Sequence, residues 1–468
     1  MLGRVFKAYD VRGTYPDLLN DQMAWQIGFG VSRFLRGEAE AAGQTNPMMR
    51  NIVVGRDMRV SSPSLARSLI SGINAQGGDV IDVGLVDTPF VTFAINHLGC
   101  AGGVMVTASH NPPQYNGFKV SRRQGKPVGE MNGLAEVRKF AAMVDTTIGR
   151  GAAGRSETRD LWEAYAHHVL RTLDLKRPLK IVIDASNGMA GAMVPKVFGK
   201  GGANVKGLTI VEVNFEHTKG NFAHEPNPLV AANLAQTQDA VKANKADLGV
   251  CFDGDADRLV VVDEKGTIIG CDHLTALLAK WFLARAPGAG IVYDLRSTKA
   301  VEEDVRASGG TPYRCRVGHV FMKQVMAEHD CVFGGELSGH FYFRDNFCAD
   351  SGAIALTTLL TVVSGQSKPL SALVAPVRRY VQSGEINFVN EEADAALDAL
   401  REQFVGEADV DELDGVTIDL FKARGWWCNV RKSNTEPLLR LNVEAKDRKV
   451  LDKVLAELRP RLGRRVDH

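Results

Sequence analysis

Ser109 stands in the run Thr107-Ala108-Ser109-His110-Asn111-Pro112-Pro113. The two prolines fix φ and remove backbone donors, so the run is an irregular loop at the end of a strand. A serine there is a candidate nucleophile or phosphate carrier. His110 could accept its proton, and Lys119, ten residues on, could balance phosphoryl charge. An ordinary Ser/Asn/Pro turn uses the same residue types, so this loop alone decides nothing. A second cluster, Asp253-Gly254-Asp255-Ala256-Asp257-Arg258, sets three carboxylates at alternate positions between two strand-like runs. Bare, they repel one another; together they form an oxygen-only donor set suited to Mg2+, with phosphate and water completing the shell. Glu264 stands at the twelfth place counted from Asp253 and invites a calcium-loop reading. That reading fails, because the sixth place is Arg258 rather than glycine and the flanks are strands rather than helices.

The third cluster is Gly334-Gly335-Glu336-Leu337-Ser338-Gly339-His340, after an apolar strand ending at Phe333. In an extended segment Glu336, Ser338 and His340 would share one face. A carboxylate and a hydroxyl presented together suit paired sugar hydroxyls. The fourth cluster, Arg431-Lys432-Ser433-Asn434-Thr435-Glu436-Pro437, puts a guanidinium, two hydroxyls and successive backbone N–H groups in one loop, a good anion nest. Each has a bland counterpart in a structural or solvated turn. Together the four describe phosphoryl transfer on a sugar: serine carrier, magnesium site, hydroxyl clamp and phosphate nest.

The elements that must position these loops alternate strand and helix. Strand-like 51–54, 80–83 and 103–107 enclose helical 63–75 and 89–98. The order returns with strands at 179–184, 209–213 and 248–253 around helices from 191 and over 229–245. It returns again with 290–294, 312–316 and 331–333 around 298–307 and 320–329. Such alternation predicts α/β units with parallel or mixed sheets. The last ninety or so residues differ: helical 391–404, strands at 416–421, 426–431 and 438–443, and a closing helix over 448–458 make a smaller α+β unit. The expected fold is thus α/β, three related α/β domains with mixed sheets plus a smaller C-terminal α+β domain. Boundaries are expected in the Gly/Arg/Ser-rich stretch 149–156, at the hairpin near Lys265-Gly266, and around 376–383, which could hinge the last domain. Each domain then carries one cluster: 1–155 the serine loop, 156–266 the metal loop, 267–378 the sugar-binding loop and 379–468 the phosphate loop.

Composition narrows the function classes. A chain of 468 residues with 45% hydrophobic and 24% charged residues is an ordinary globular protein of several domains. Lys+Arg of 56 against Asp+Glu of 55 leaves +1, so no global field favours nucleic acid or an anionic membrane; an acidic ligand must be met by a local cluster. The longest apolar candidate for a span, 353–363, is short and carries Thr357, Thr358 and Thr361. The first dozen residues, with Arg4, Lys7, Asp10 and Arg12, lack the apolar core of a signal peptide. The seven cysteines show no CxxC or zinc spacing, which predicts reduced thiols in a cytoplasmic protein. Gly149, Gly151 and Gly154 spell GxGxxG, but a helix precedes them and Arg155-Ser156-Glu157 follows. The dinucleotide fingerprint needs a strand before and a helix after, so this is read as linker.

With TASHNPP, DGDADR, GELSGH and RKSNTEP in this order, and Phe6-Lys7-Ala8-Tyr9-Asp10-Val11-Arg12-Gly13 ahead of them, the chain resembles the α-D-phosphohexomutase family. Within it the resemblance is to the bacterial phosphomannomutase/phosphoglucomutase branch, over nearly the whole chain. The resemblance implies a heart-shaped arrangement of four domains around a central cleft. It implies that Ser109 is the phosphoserine and that Asp253, Asp255 and Asp257 hold Mg2+ together with a phosphoserine oxygen of Ser109. Glu336 and Ser338 would bind sugar hydroxyls with His340 close by, and Arg431, Ser433, Asn434 and Thr435 would hold the phosphate not being transferred. Tyr9, Arg12, His110, Lys119, Arg258 and His319 match family positions lining the cleft. Arg296, in Asp294-Leu295-Arg296-Ser297-Thr298, departs from the lysine of well-known bacterial members, a rigid fork in place of a flexible point charge.

The implied reaction passes the phosphoryl group of Ser109 to a hexose 1- or 6-phosphate of glucose or mannose. This gives a 1,6-bisphosphate, which also serves as activator and returns its other phosphate to the serine. Lys119, His110, His319 and Arg12 are the candidate proton-transfer groups. The expected partners are small sugar phosphates, with no nucleic acid or membrane, for a monomer or dimer. Among alternatives, a phosphoglucosamine mutase would carry Gln where this chain has Leu337, and a silent binding protein would be expected to lose Ser109 or a metal aspartate. A phosphatase that forms and hydrolyses a phosphoserine differs only in how well water is excluded.

Overall fold

The computed structural model describes residues 2–144, 153–433 and 438–466. Its contacts divide the chain into two compact units: one takes the chain up to Ile269 together with Ser338–Ser371, the other Gly270–Leu337 together with the chain from Ala372.

The first unit is built on two mixed sheets. In the first sheet the strands run in the order Val11–Thr14, Tyr115–Arg122, Gly102–Val106, Asn51–Arg56, Asp79–Leu85, Ser156–Thr158. Asn51–Arg56 pairs in parallel with both neighbours, while Tyr115–Arg122 is antiparallel to Gly102–Val106 and to Val11–Thr14. The fully apolar Gly102–Val106 strand is buried along its length, as a central strand covered on both faces must be. Helix Asp21–Ala41 starts where Asn20 accepts from the Met23 N–H at 3.0 Å and turns Met23, Ile27, Val31, Phe34 and Leu35 inward at helical spacing. It lies backbone to backbone with helix Ser62–Ala75. A Cβ on Gly28 would stand 2.1 Å from the Leu69 carbonyl oxygen, and one on Gly72 1.9 Å from that of Trp25.

The second sheet runs Ile268–Ile269, Leu259–Asp263, Leu248–Phe252, Leu179–Asp184, Leu208–Val213. Leu179–Asp184 is parallel to both neighbours, and Leu248–Phe252 turns back on Leu259–Asp263 as an antiparallel hairpin whose connection is Asp253–Arg258. The turn at Lys265-Gly266 is capped by Asp263, whose Oδ1 accepts from the N–H groups of Lys265 and Thr267 at 3.0 and 2.8 Å. The 353–363 run lies in helix Gly352–Ser364, in which every residue is buried. Thr358 Oγ1 donates to Ile354 O within the helix at 2.8 Å, while Thr357 and Thr361 also reach out of it, Thr361 donating to Thr172 O at 2.9 Å and accepting from the Asp174 N–H at 3.0 Å. Among the described residues no helix is long and apolar enough to cross a membrane, and no disulfide is formed.

In the second unit Gly290–Asp294 lies between Thr311–Cys315 and Phe333–Gly335, all parallel. Its last sheet is antiparallel in the order Asp409–Asp411, Val416–Asp419, Trp426–Lys432, Leu439–Ala445, Val381–Val389, Arg464–Val466. Helices Ala393–Phe404 and Arg448–Leu462 bury Leu397, Leu400, Phe404, Leu451, Val454, Leu455 and Leu458 against it. Where the sequence suggests a hinge, Arg379 reaches Glu303 at 2.7 Å and Asp304 at 3.0 Å, and the Tyr380 hydroxyl donates to Glu303 at 2.8 Å.

Two sequence expectations need amending. The helix expected over 229–245 is a 3-10 turn at Ala231–Leu234 followed by helix Ala235–Asn244. Asn227 holds the preceding residues as a turn: its side chain accepts from Leu229 N–H at 3.2 Å, and its carbonyl from Val230 N–H and the Asn233 amide. In the expected linker, Gly149 and Gly151 lie outside the described residues. From Ser156 the chain is the edge strand of the first sheet, Val80 facing Ser156. Gly154 sits where a Cβ would stand 1.8 Å from the Gly78 carbonyl oxygen, so its smallness serves this close approach.

Candidate active site

In the first unit the chemistry gathers where the Gly102–Val106 strand and the Asp253–Arg258 connection end side by side. Ser109 is buried and takes a left-handed φ of 50°. Its N–H donates to Thr107 Oγ1 at 2.9 Å, and its Oγ lies 3.0 Å from Asp253 Oδ2 and 3.2 Å from His110 Nδ1. The approach is close along the backbone too: a Cβ on Gly254 would stand 2.3 Å from the Ser109 carbonyl oxygen. Asp253, Asp255 and Asp257 are all buried, and one carboxylate oxygen from each lies within 4.8 Å of the others. Lys119 Nζ sits 2.7 Å from Asp255 Oδ2 and 2.7 Å from Asp257 Oδ2.

The electrostatics follow from this crowding. Burial, with Asp257 and Asp255 facing it, pushes Asp253 well above the ordinary carboxylate range. Burial also opposes ionisation of Asp257, yet Lys119, His340 and Arg258 outweigh it and hold that carboxyl well below the range. Burial alone would lower Lys119; Asp255 and Asp257 more than reverse this and keep the ammonium charged. His110 goes the other way: burial, then Arg258, Arg12 and Lys119, drive its basicity well down, so it is a neutral imidazole. Asp255 Oδ1 is buried with no hydrogen-bond partner. An oxygen-only donor set with an orphaned carboxylate oxygen fits a hard divalent cation.

Arg258 and His340 close this cluster. They form an isolated antiparallel bridge, Arg258 Nε lies 3.3 Å from His340 Nε2, and His340 Nε2 is 3.4 Å from Asp257 Oδ1. Ser338 Oγ contacts His340 Nδ1 at 2.9 Å. The segment from Glu336 is a turn through Gly339 at φ 88°, so the shared face expected of an extended run does not exist. Arg12 comes from the Val11–Thr14 strand opposite Gly117 and pairs with Asp10 and the Asn111 side chain. Tyr9, two residues before that strand, is half-buried.

In the second unit the buried Glu336 accepts from the Gly318 N–H at 3.0 Å, one residue before His319 opens helix His319–Glu328. Arg296 forks onto Asp294, with Nη2 2.7 Å from Oδ2, and its Nη1 lies 3.4 Å from Glu385 Oε2. Burial works against its charge, but Asp294, Glu385 and Glu336 raise it above the ordinary value. Glu385 also meets Arg431 at 3.3 Å and Arg440 at 3.1 Å, so one carboxylate faces three guanidiniums. Arg431 is buried, and that burial, with Arg296 close by, lowers its basicity. The Ser433 N–H donates to Leu438 O at 2.8 Å; Asn434 and Thr435 lie outside the described residues.

Four family models match in series. They are described as phosphoglucomutase/phosphomannomutase alpha/beta/alpha domain I over residues 3–141, domain II over 163–266, domain III over 271–380, and the C-terminal domain over 385–461. A protein of Xanthomonas campestris pv. campestris named "Phosphohexose mutases" is 40% identical over 446 residues, 94% of this chain and 95% of that protein. The Escherichia coli K12 "Phosphomannomutase" is 37% identical over 94% of each. The chain belongs to the phosphoglucomutase/phosphomannomutase family. A crystal structure of a family member from Burkholderia thailandensis superposes with a TM-score of 0.86 at 32% identity, covering 98% of this chain and 96% of that one. This is a family of phosphotransferases of the mutase type, metal-dependent, and the acidic cluster here is a candidate metal site.

In this family member the structure brings Ser109, His110, Lys119, the three aspartates, Arg258, Ser338 and His340 into one contact network. It brings Arg296 and Arg431 together on Glu385, with Glu336 near Arg296. Sequence reasoning missed three residues. Thr88 donates from Oγ1 to Asp255 Oδ2 at 2.5 Å and from N–H to Asp255 O at 3.0 Å. Arg59 underlies the serine loop, and Glu385 draws the arginines together. Arg59 had a local signal, an Asp-x-Arg just past a strand; Thr88 and Glu385 had none. A second cluster, Asp184, His224 and Cys251, has metal-ligand residue types. Its carboxylate already accepts from Ser186 N–H, Asn214 and Thr237, a structural strap at the strand ends.

Proposed function

We propose that this chain interconverts hexose 1-phosphate and hexose 6-phosphate, of glucose and mannose, through a phosphoserine at Ser109. The observation that carries the reading is Ser109 Oγ, 3.0 Å from a metal-competent carboxylate and 3.2 Å from a neutral imidazole, beside an ammonium held by the other two carboxylates. Asp253, Asp255 and Asp257 would hold Mg2+, which when bound neutralises phosphoryl charge. In the forward half-reaction a sugar hydroxyl attacks phosphorus, the serine O–P bond breaks and the hydroxyl proton ends on the freed serine oxygen. His110, a neutral imidazole with Nδ1 beside Oγ, is the group placed to accept that proton and return it at the serine end. The 1,6-bisphosphate so formed returns its other phosphoryl group to Ser109 by the reverse chemistry, and added bisphosphate primes the enzyme.

Lys119 stays charged and serves electrostatics rather than proton transfer. Glu336, Ser338 and His340 are assigned to sugar hydroxyls. Arg296, Arg431 and the 433–435 backbone are assigned to the phosphate at rest. Tyr9, Arg12, Arg258 and His319 bind substrate around these. The four domains proposed are those bounded at 155, 266 and 378, except that the first also takes in its edge strand Ser156–Thr158, and the setting is cytoplasmic, in keeping with seven cysteines free of disulfides. A coupled assay with Mg2+ and catalytic bisphosphate tests this on the 1-phosphates of glucose, mannose and glucosamine. Turnover of the first two, abolished by Ser109→Ala, is expected. Turnover of glucosamine 1-phosphate alone, or activity retained in the variant, overturns it.

A further inference from the structure

Arg59 is fully buried, as is its neighbour Asp57. A guanidinium has five N–H donors in one rigid plane, and here all five are used. Nε donates to Asp57 Oδ2 at 3.0 Å. Nη1 donates to the carbonyls of Pro112 at 2.7 Å and Tyr115 at 2.9 Å, and Nη2 to those of Ser109 at 2.8 Å and Asn111 at 2.7 Å. Four of the five bonds therefore end on the backbone of one loop, the loop that carries Ser109. Asp57 is itself fixed: Oδ1 accepts from the Arg59 N–H at 3.1 Å and from Ser62 Oγ at 2.5 Å. The Phe222 ring covers the guanidinium at 5.0 Å. No atom of Arg59 is left to meet a ligand.

Burying a charge in order to hold carbonyls is costly unless the loop needs holding. This loop does, because Ser109 sits at a φ of 50°, a conformation that L side chains avoid by about 1 kcal/mol or more. Two prolines within the loop also remove backbone donors that would otherwise help to close it. We infer that Arg59 is the positioning residue of the nucleophile: its planar fork on four loop carbonyls fixes where Ser109 Oγ stands relative to the metal aspartates, without touching substrate. This rests on the mutase reading above and adds to it the part that sets the transfer geometry. Lysine cannot substitute, since one ammonium has three donors and no fork.

The test uses the full-length enzyme, Arg59→Lys and, because that variant removes several bonds at once, Asp57→Asn, which keeps the guanidinium and its four loop bonds and weakens its anchor. Folding is checked by melting, then kcat, KM for the hexose 1-phosphate and the Mg2+ concentration for half-activity are measured. In Arg59→Lys kcat is expected to fall by about 100-fold, the scale of an ångström-sized misplacement. KM should stay within about threefold, because the groups assigned to the sugar and the resting phosphate are untouched, while a modest rise in the Mg2+ requirement accompanies the displaced phosphoserine oxygen. Asp57→Asn should show the same split, more weakly. The inference is overturned if kcat stays near wild type in whichever variant folds, or if kcat, KM and the Mg2+ requirement all deteriorate together. It is overturned as well if neither variant folds, since the clamp would then hold the domain rather than the loop. A wild-type enzyme without mutase activity would instead remove the reading on which the inference stands.

Discussion

Two backbones touch at the centre of this site, and Gly254 is the residue that allows it. Its neighbours in the metal loop are the ligand candidates Asp253 and Asp255, while a Cβ at Gly254 would meet the Ser109 carbonyl oxygen at 2.3 Å and the Phe222 ring at 3.1 Å. A carbonyl oxygen cannot rotate aside as a side chain can, so Gly254→Ala must part the loops. Overpacking of this kind costs about 1–3 kcal/mol, and here the displacement falls on the proposed nucleophile and the proposed metal ligands together. The expected outcome is a melting temperature lowered by a few degrees with a Mg2+ requirement raised about tenfold or more, read by titrating activity with Mg2+. An unchanged Mg2+ requirement would show that the loops can separate without consequence. The same residue marks what sequence could reveal. Alternating aspartates advertise a cation site by their mutual repulsion, but which loop presses on Gly254 is a long-range fact. Thr88 and Asp255, 167 positions apart, make the point again: their 2.5 Å bond leaves no trace in local spacing.

At the scale of elements, the strand and helix order was legible because apolar runs and periodicity are local properties. The errors arose where one residue overrode the pattern. Asn227 captures the backbone that would have begun a helix, and Gly339 turns a run that alternation suggested was extended. A buried carboxylate in the second unit shows how elements are joined by groups that no motif announces. Glu444, on strand Leu439–Ala445, accepts at Oε2 from the Lys299 N–H that opens helix Lys299–Ala307 and from Trp427 Nε1, both at 2.8 Å. Its Oε1 is buried without a hydrogen-bond partner. Burial is the main reason its pKa rises from 4.5 to about 7, with Asp272 adding repulsion. An acid raised on folding binds its proton more tightly in the native state than in the unfolded chain, so native stability declines as pH climbs from 4.5 to about 7. The decline is on the order of 3 kcal/mol and is complete above that range. Glu444→Gln keeps an acceptor toward Lys299 and Trp427 and cannot ionise. It should therefore flatten the pH dependence of melting between pH 5 and 8 and gain most over wild type at pH 8. A variant with the same pH slope as wild type would show that Glu444 is already charged at acidic pH.

Over the whole molecule, the near-neutral charge of +1 conceals a sorting of chemistry between the two compact units. Ser109, Lys119, Asp253, Asp255 and Asp257 belong to the first unit; the arginines converging on Glu385 belong to the second. Ligands that bind native structure stabilise the part that holds them, by about 2.7 kcal/mol at a hundred times the dissociation constant. Exchange of amide hydrogens reports such stabilisation segment by segment. Saturating Mg2+ should therefore slow exchange in 107–119 and 248–263, where the aspartates lose their mutual repulsion and the serine loop is drawn against them. Exchange in 290–296, 311–318 and 426–432 should stay as it was without metal. Inorganic phosphate, a ligand for guanidiniums rather than carboxylates, should give the opposite map, protecting 290–296 and 426–432. Asp257→Asn is the control that removes the Mg2+ response and leaves the phosphate response in place. If Mg2+ instead protected both units alike, the metal would be acting through the whole fold rather than through the aspartate loop. The proposal that Asp253, Asp255 and Asp257 hold the cation would then be wrong.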